Sequence, residues 1–206
     1  MSDELSHSAE VVEELLGCDD ETLICIGRDS YQFATDTFSV LKDQLSGEQF
    51  IVPSPMSART WTKPDGQLSA KGNANTGPRR NVVIEFDIAK LDKAGKPTKW
   101  APLIERWEVA GITTKDTMAA LIWHLKQKGP LVCVVDSAGK SLHAWFHCTG
   151  ESEEPGSRLR RFFEYAVAIG ADHATWTKSQ FVRVPDGMRD NGNRQRVLYF
   201  DPNGAE

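Results

Sequence analysis

Asn81-Val-Val-Ile-Glu-Phe-Asp87 is the stretch on which the fold turns. A Val-Val-Ile run flanked by turn-forming residues reads as a strand over 81–86 that enters a hydrophobic core. Side chains alternate across a strand, so Glu85 and Asp87 leave on one face while Val82, Ile84 and Phe86 leave on the other. Two carboxylates then share one small patch. They repel each other, and a hard divalent cation such as Mg²⁺ or Mn²⁺ relieves that repulsion through oxygen ligation. A solvated strand end with two exposed acids fits the same pattern.

Downstream, Thr114 to Gln127 places Met118, Leu121, Ile122 and Leu125 at helical spacing and ends before Gly129-Pro130. Leu131 to Val135 and Leu142 to Cys148 are apolar strands around a tight turn, Asp136 to Lys140, which makes a hairpin. Gly139-Lys140-Ser141 in that turn is not a P-loop. Val134 stands where the first glycine belongs, and alternating Leu142, Ala144 and Phe146 follow in place of a helix. A turn of small residues still offers backbone N–H groups, Lys140 and Ser141 to a phosphate chain, with His143 on the same face as Ser141. The plainer alternative is a surface hairpin with His143 packed beside Trp145.

Ser157 to Gly170 reads as a helix with Leu159, Phe162, Phe163, Ala166, Val167 and Ile169 as its apolar stripe. Strands around Gln180 to Val184 and Arg196 to Phe200 flank a turn-forming run from Asp186 to Asn193, a second hairpin. Between helix and strand lies Asp172, either a third carboxylate or a cap, while Arg183 offers a planar fork to phosphate. Strand, helix, hairpin, helix, hairpin is the order expected of an α+β layer with helices on one face of a mixed sheet. Upstream, Ser8 to Leu16 is a short amphipathic helix stopped at Gly17. Thr22 to Ile26 is β-like, Thr37 to Leu45 helical and Phe50 to Pro53 a strand, and Ser57 to Arg80 is a polar loop or lid.

At 206 residues, 40% hydrophobic and 26% charged, the chain suits one catalytic domain over 1–206. Residues 81–202 carry the motifs and 1–80 supply the N-terminal part of the core. A net charge of -5 argues against a protein that coats nucleic acid, and leaves room for a local basic groove. Basic residues gather at Arg79-Arg80, at Arg158, Arg160 and Arg161, and from Lys178 to Arg196. The four cysteines form no CxxC pair and read as reduced, partly buried thiols. No apolar run approaches the ~20 residues of a membrane span, and the acidic start lacks the order of a secretory signal, so the expected location is cytoplasmic.

Taken in order, Val-Val-Ile-Glu85-Phe-Asp87, Ser141-Leu-His143 on a hairpin, and an acid ahead of Arg183-Val-Pro-Asp-Gly resemble the three motifs of archaeo-eukaryotic primases, or prim-pols. The likeness covers Asn81 to Pro202 and is nearest to primase domains of phages and other mobile elements. Here the first motif is Glu-x-Asp in place of Asp-x-Asp or Asp-x-Glu. The resemblance implies a primase-like core, an RRM-like unit with a mixed β-sheet packed by helices. It also implies catalytic residues Glu85, Asp87, His143 and Asp172, with Glu85, Asp87 and Asp172 holding two Mg²⁺ or Mn²⁺ ions. Lys140, Ser141, His143 and Arg183 would hold the phosphates of a nucleoside triphosphate. A single-stranded DNA template is the implied partner, with a helicase domain or protein beside it. Two alternatives are a metal-dependent nuclease or phosphodiesterase and a non-catalytic nucleic-acid-binding module.

Overall fold

The fold is seen in a computed structural model that describes residues 7–92 and 94–204. Helix α1 (His7–Leu16) leads to strands β1 (Leu23–Gly27) and β2 (Phe33–Thr37). A one-turn helix α2 (Phe38–Leu41) then tightens into a 3₁₀ turn at Lys42–Gly47, ahead of β3 (Phe50–Ile51). A small hairpin follows, β4 (Trp61–Thr62) and β5 (Leu68–Ser69), and then β6 (Asn81–Phe86). Two helices, α3 (Ala101–Val109) and α4 (Thr114–Lys126), precede the hairpin of β7 (Leu131–Asp136) and β8 (Leu142–His147). Helix α5 (Arg158–Ala168), a 3₁₀ turn at His173–Trp176, β9 (Val182–Arg183) and β10 (Val197–Phe200) complete the described chain.

The protein is α+β, but its sheets are antiparallel throughout, which corrects the expected mixed sheet. One has the order β2-β1-β3-β9 and the other β10-β7-β8-β6. The reason is the placement of β8. It folds back from β7 and inserts between β7 and β6, so no two parallel strands become neighbours. The expected terminal hairpin is also corrected. Asp186 and Gln195 do bond backbone to backbone, at 2.8 Å, yet β9 joins the first sheet and β10 the second. Their connection ties the two sheets together.

Alternation along β6 divides the core as the sequence requires. Val82, Ile84 and Phe86 meet Ile104 of α3, Met118, Ile122 and Leu125 of α4, and Leu159 and Phe163 of α5. Val83 faces the other way, with Val132, Val135 and Trp145, toward α1 and the first sheet. The second sheet is thus filled on both faces, with helices on one and the first sheet on the other. Helix α4 starts at Thr114 as expected, behind a capping box in which Thr113 and Asp116 satisfy each other's backbone N–H. Ser157 caps α5 by accepting from Arg160 N.

Gly17, at φ 58°, stops α1, and a Cβ there would lie 2.5 Å from the Arg80 guanidinium. That guanidinium donates to Leu15 O at 3.0 Å, and Asn81 Nδ2 donates to the same carbonyl at 2.8 Å. The end of α1 is therefore fastened to the start of β6. Arg79 is buried between Glu153 and Trp176, so the Arg79-Arg80 pair serves packing rather than a basic groove. The stretch expected as a long loop, 57–80, holds β4, β5 and a bridge between Met56 and Thr76. Among the described residues no helix is long and apolar enough to cross a membrane. All four cysteines are free, and burial pushes the Cys25 thiol up to about 11 and the Cys18 and Cys148 thiols up to about 12.

Candidate active site

The register of β6 against β8 sets Glu85 directly opposite His143, on the face turned away from the helices. His143 Nε2 lies 3.5 Å from Glu85 Oε1 and 3.3 Å from Ser141 Oγ. Burial pushes the Glu85 carboxyl up from its usual range; Asp172 adds to the rise, while the Ser141 hydroxyl and Arg183 oppose it. Burial, helped by Arg183, pushes His143 down to about 3, against the pull of Asp87 and Asp136. Both shifts favour neutral groups, so the contact is not an ion pair. A neutral imidazole at about neutral pH can donate from Nε2 toward Glu85 and Ser141, leaving Nδ1 as an acceptor. Nδ1 is buried without a hydrogen-bond partner among the described residues.

Asp87 lies just beyond the end of β6 and is exposed. Asp172 comes alongside because Gly170, at φ 116°, turns the chain past Trp100, where a Cβ would sit 2.5 Å from the indole. The Asp172 N–H then donates to Glu85 O at 2.8 Å, and its carboxylate accepts from Ala174 N at 2.9 Å as the cap of the 3₁₀ turn. Asp186 is flanked by His7 and Arg194 and belongs to the connection between the sheets.

Arg183 sits beside this group and acts on both Glu85 and His143. Its side chain donates to Gln49 Oε1 at 3.3 Å and lies 4.4 Å over the Phe50 ring. Burial and the nearby Arg189 hold it down to about 10. Arg189 in turn donates to Ser137 O at 3.2 Å, which brings it to the β7–β8 turn. Two close guanidiniums beside small-residue backbone make a site that gains from an anion. Sequence reading marked Arg189 only as one of the basic residues between Lys178 and Arg196. What singles it out is its contact with a turn 52 residues away, which no local pattern reveals.

Lys140 is exposed at the tip of the β7–β8 turn, while Lys115 from α4 holds Asp136 at 2.6 Å. Arg158, Arg160 and Arg161 belong to α5, across the second sheet from Glu85, and Arg160 pairs with Glu164 at 2.8 Å. They do not join the site. A hollow of about 220 Å³ opens on that helical side, lined by Val82, Phe146, Arg158 and Phe162 among others. The acid–histidine group is the stronger candidate, because two perturbed groups there face each other.

Among the described residues no three His, Cys, Asp or Glu side chains converge closely enough to hold a metal ion unaided. The donors still suit Mg²⁺ or Mn²⁺ in kind. Mg²⁺ keeps waters and takes one or two carboxylates plus phosphate oxygens, not a closed protein cage. Glu85, whose charge is disfavoured by burial and then by Asp172, and the exposed Asp87 supply such carboxylates. Compared with known proteins, the chain matches no family model, no curated protein and no solved structure.

Proposed function

We propose that this chain is a metal-dependent nucleotidyltransferase of the primase-polymerase kind, joining nucleoside triphosphates on a nucleic-acid template in the replication of a mobile element. The observation that supports it best is the register pairing Glu85 with His143, with Arg183 close enough to shift the protonation of both. Glu85 and Asp87 would hold Mg²⁺ or Mn²⁺, with Asp172 as the third acid. The bound ion supplies charge neutralisation on the triphosphate and lowers the pKa of an attacking 3′-hydroxyl.

The chain's own residues position the substrate. Arg183 and Arg189 take the phosphate oxygens, with Lys140 reaching in from the turn. The Ser141 hydroxyl beside Glu85 favours the charged form of the carboxyl. His143 is too weak a base, at about 3, to take a proton from an attacking group near neutral pH. Its role is orientation of Glu85 and Ser141, and the negative charge of an arriving triphosphate favours its protonated form. Catalysis then rests on placement and charge stabilisation.

Incubating a 5′-labelled primer on a single-stranded template with Mn²⁺, with and without triphosphates, tests the proposal. Extension that requires triphosphates is expected. Shortening of the strand without them would replace it with a nuclease, and no change in either arm would leave only a binding module. Arg183→Lys should raise KM for the triphosphate by roughly tenfold with a smaller change in kcat, because an ammonium cannot reproduce the planar fork. Steady-state kinetics at varied triphosphate reads that split.

A further inference from the structure

One register line crosses the first sheet through Phe33, Gly27, Phe50 and Arg183. Gly27 pairs with Phe33 on one side and Phe50 on the other, and Phe50 pairs with Arg183. Residues opposite each other in a sheet share a face. Phe181, two residues before Arg183, shares it too, and its ring lies 5.7 Å from both Phe33 and Phe50. Cations lie over two of the three rings: the Lys71 ammonium is 4.4 Å from the Phe181 centroid, and the Arg183 guanidinium is 4.4 Å from that of Phe50. A Cβ on Gly27 would stand 2.7 Å from Phe33 Cβ, so the row closes up only because that position has no side chain.

Phe33 and Phe181 rest on a small buried cluster, Cys25, Val52 and Met56, and the main core does not reach this row. It uses the other face of the sheet, with Ile24, Ile26, Ile51, Val182 and Val184. Phe33, Phe50, Phe181, Lys71 and Arg183 are all only partly buried. We propose that the row is a stacking platform for single-stranded nucleic acid, leading a strand across the sheet to the Glu85–His143 group at its Arg183 end. Bases stack on aromatic faces whatever their identity, and four-stranded sheets use such rings for two or three bases. Three strand spacings of ~4.8 Å give about 14 Å of platform, room for that number. Lys71 and Arg183 supply local positive charge in a chain whose net charge is -5. A second copy would set these cations against their own counterparts, which disfavours the chain itself as the occupant.

The inference takes its direction of strand travel from the proposed function, but strand binding needs neither metal nor triphosphate. Fluorescence anisotropy of a labelled 12-nucleotide oligo-dT in EDTA therefore tests it apart from catalysis. Binding is expected, with much weaker binding of an abasic strand and of a duplex of equal length. Phe50→Leu and Phe181→Leu, which keep apolar bulk and remove the ring, should each weaken oligo-dT binding by about 5- to 100-fold at unchanged Tm. Should either fail to fold, Lys71→Gln is expected to weaken binding and flatten its salt dependence by about one phosphate contact. Absent binding, equal affinity for dT and abasic strands, wild-type affinity in the folded variants, or a dimer that Phe50→Leu dissociates would each overturn the platform.

Discussion

Glu85→Gln is expected to lower nucleotide incorporation by roughly 10²–10³-fold while raising the thermal stability of the protein. The two effects share one cause. Burial and the neighbouring Asp172 disfavour the ionised carboxyl, so its folded pKa stands above its unfolded value. A group of that kind contributes stability below its unfolded pKa, and the contribution is lost as pH rises through the folded pKa. Above that folded pKa the charge that burial disfavours weighs against folding, and a neutral amide of the same shape removes it. For a chain of this size each kcal/mol relieved raises Tm by about 2–4 °C. Scanning calorimetry together with the extension assay measures both. A Glu85→Gln protein that retains activity would remove this residue from the chemistry, and one that unfolds earlier would show the carboxylate to be structural.

His143→Gln is expected to flatten the acid sensitivity of folding. The imidazole is 3% exposed and held neutral down to about pH 3, against an ordinary value of 6.5. The unfolded chain takes up a proton near 6.5 and the folded chain does not, so the neutral form contributes stability above the unfolded pKa. That contribution is lost as pH falls from 6.5 toward 3, by roughly 4–5 kcal/mol over the full window. Glu85 opposes this loss, since its stability contribution grows as pH falls through its raised pKa. Urea unfolding at pH 7 and pH 4 separates the two. The wild type should lose more stability on acidification than His143→Gln, and the double variant with Glu85→Gln should change least at these positions. Equal acid sensitivity in wild type and His143→Gln would mean that the imidazole charges freely in the folded protein.

The parts of the fold legible in the sequence are those with strong local signals. Val82, Ile84 and Phe86 face the helices, and the capping box at Thr113 and Asp116 begins α4 where the residues place it. The turn from Asp136 to Lys140 joins β7 to β8 as expected. Partner choice was not legible. Nothing local in Val182-Arg183 tells that it pairs with Phe50-Ile51, 132 residues earlier, and not with the strand after the next turn. Strand β2 was missed because Phe-Ala-Thr-Asp-Thr mixes weak and strong β-formers, and its pairing with β1 holds it. Helix α3 was not expected, and its Pro102 lies in the first turn, where no N–H is needed.

The candidate site was legible to a similar extent. Alternation sent Glu85 to the face away from Val82, Ile84 and Phe86, and it placed Ser141 with His143. That those two faces coincide depends on β8 inserting beside β6, a matter of topology. Asp172 reaches the group through a backbone bond to the edge of β6, with its carboxylate occupied as a cap. Arg189 needed the whole fold. The phosphate clamp proposed here is therefore a product of long-range pairing more than of any one motif.

A structure of the chain with Mn²⁺ and a non-hydrolysable nucleoside triphosphate bears most directly on the proposed site, with anomalous scattering to locate the ion. Mn²⁺ is expected beside Glu85 and Asp87, with phosphate oxygens against Arg183 and Arg189. An ion or a triphosphate bound away from Glu85 and Asp87 would overturn the assignment of this site and the function proposed from it.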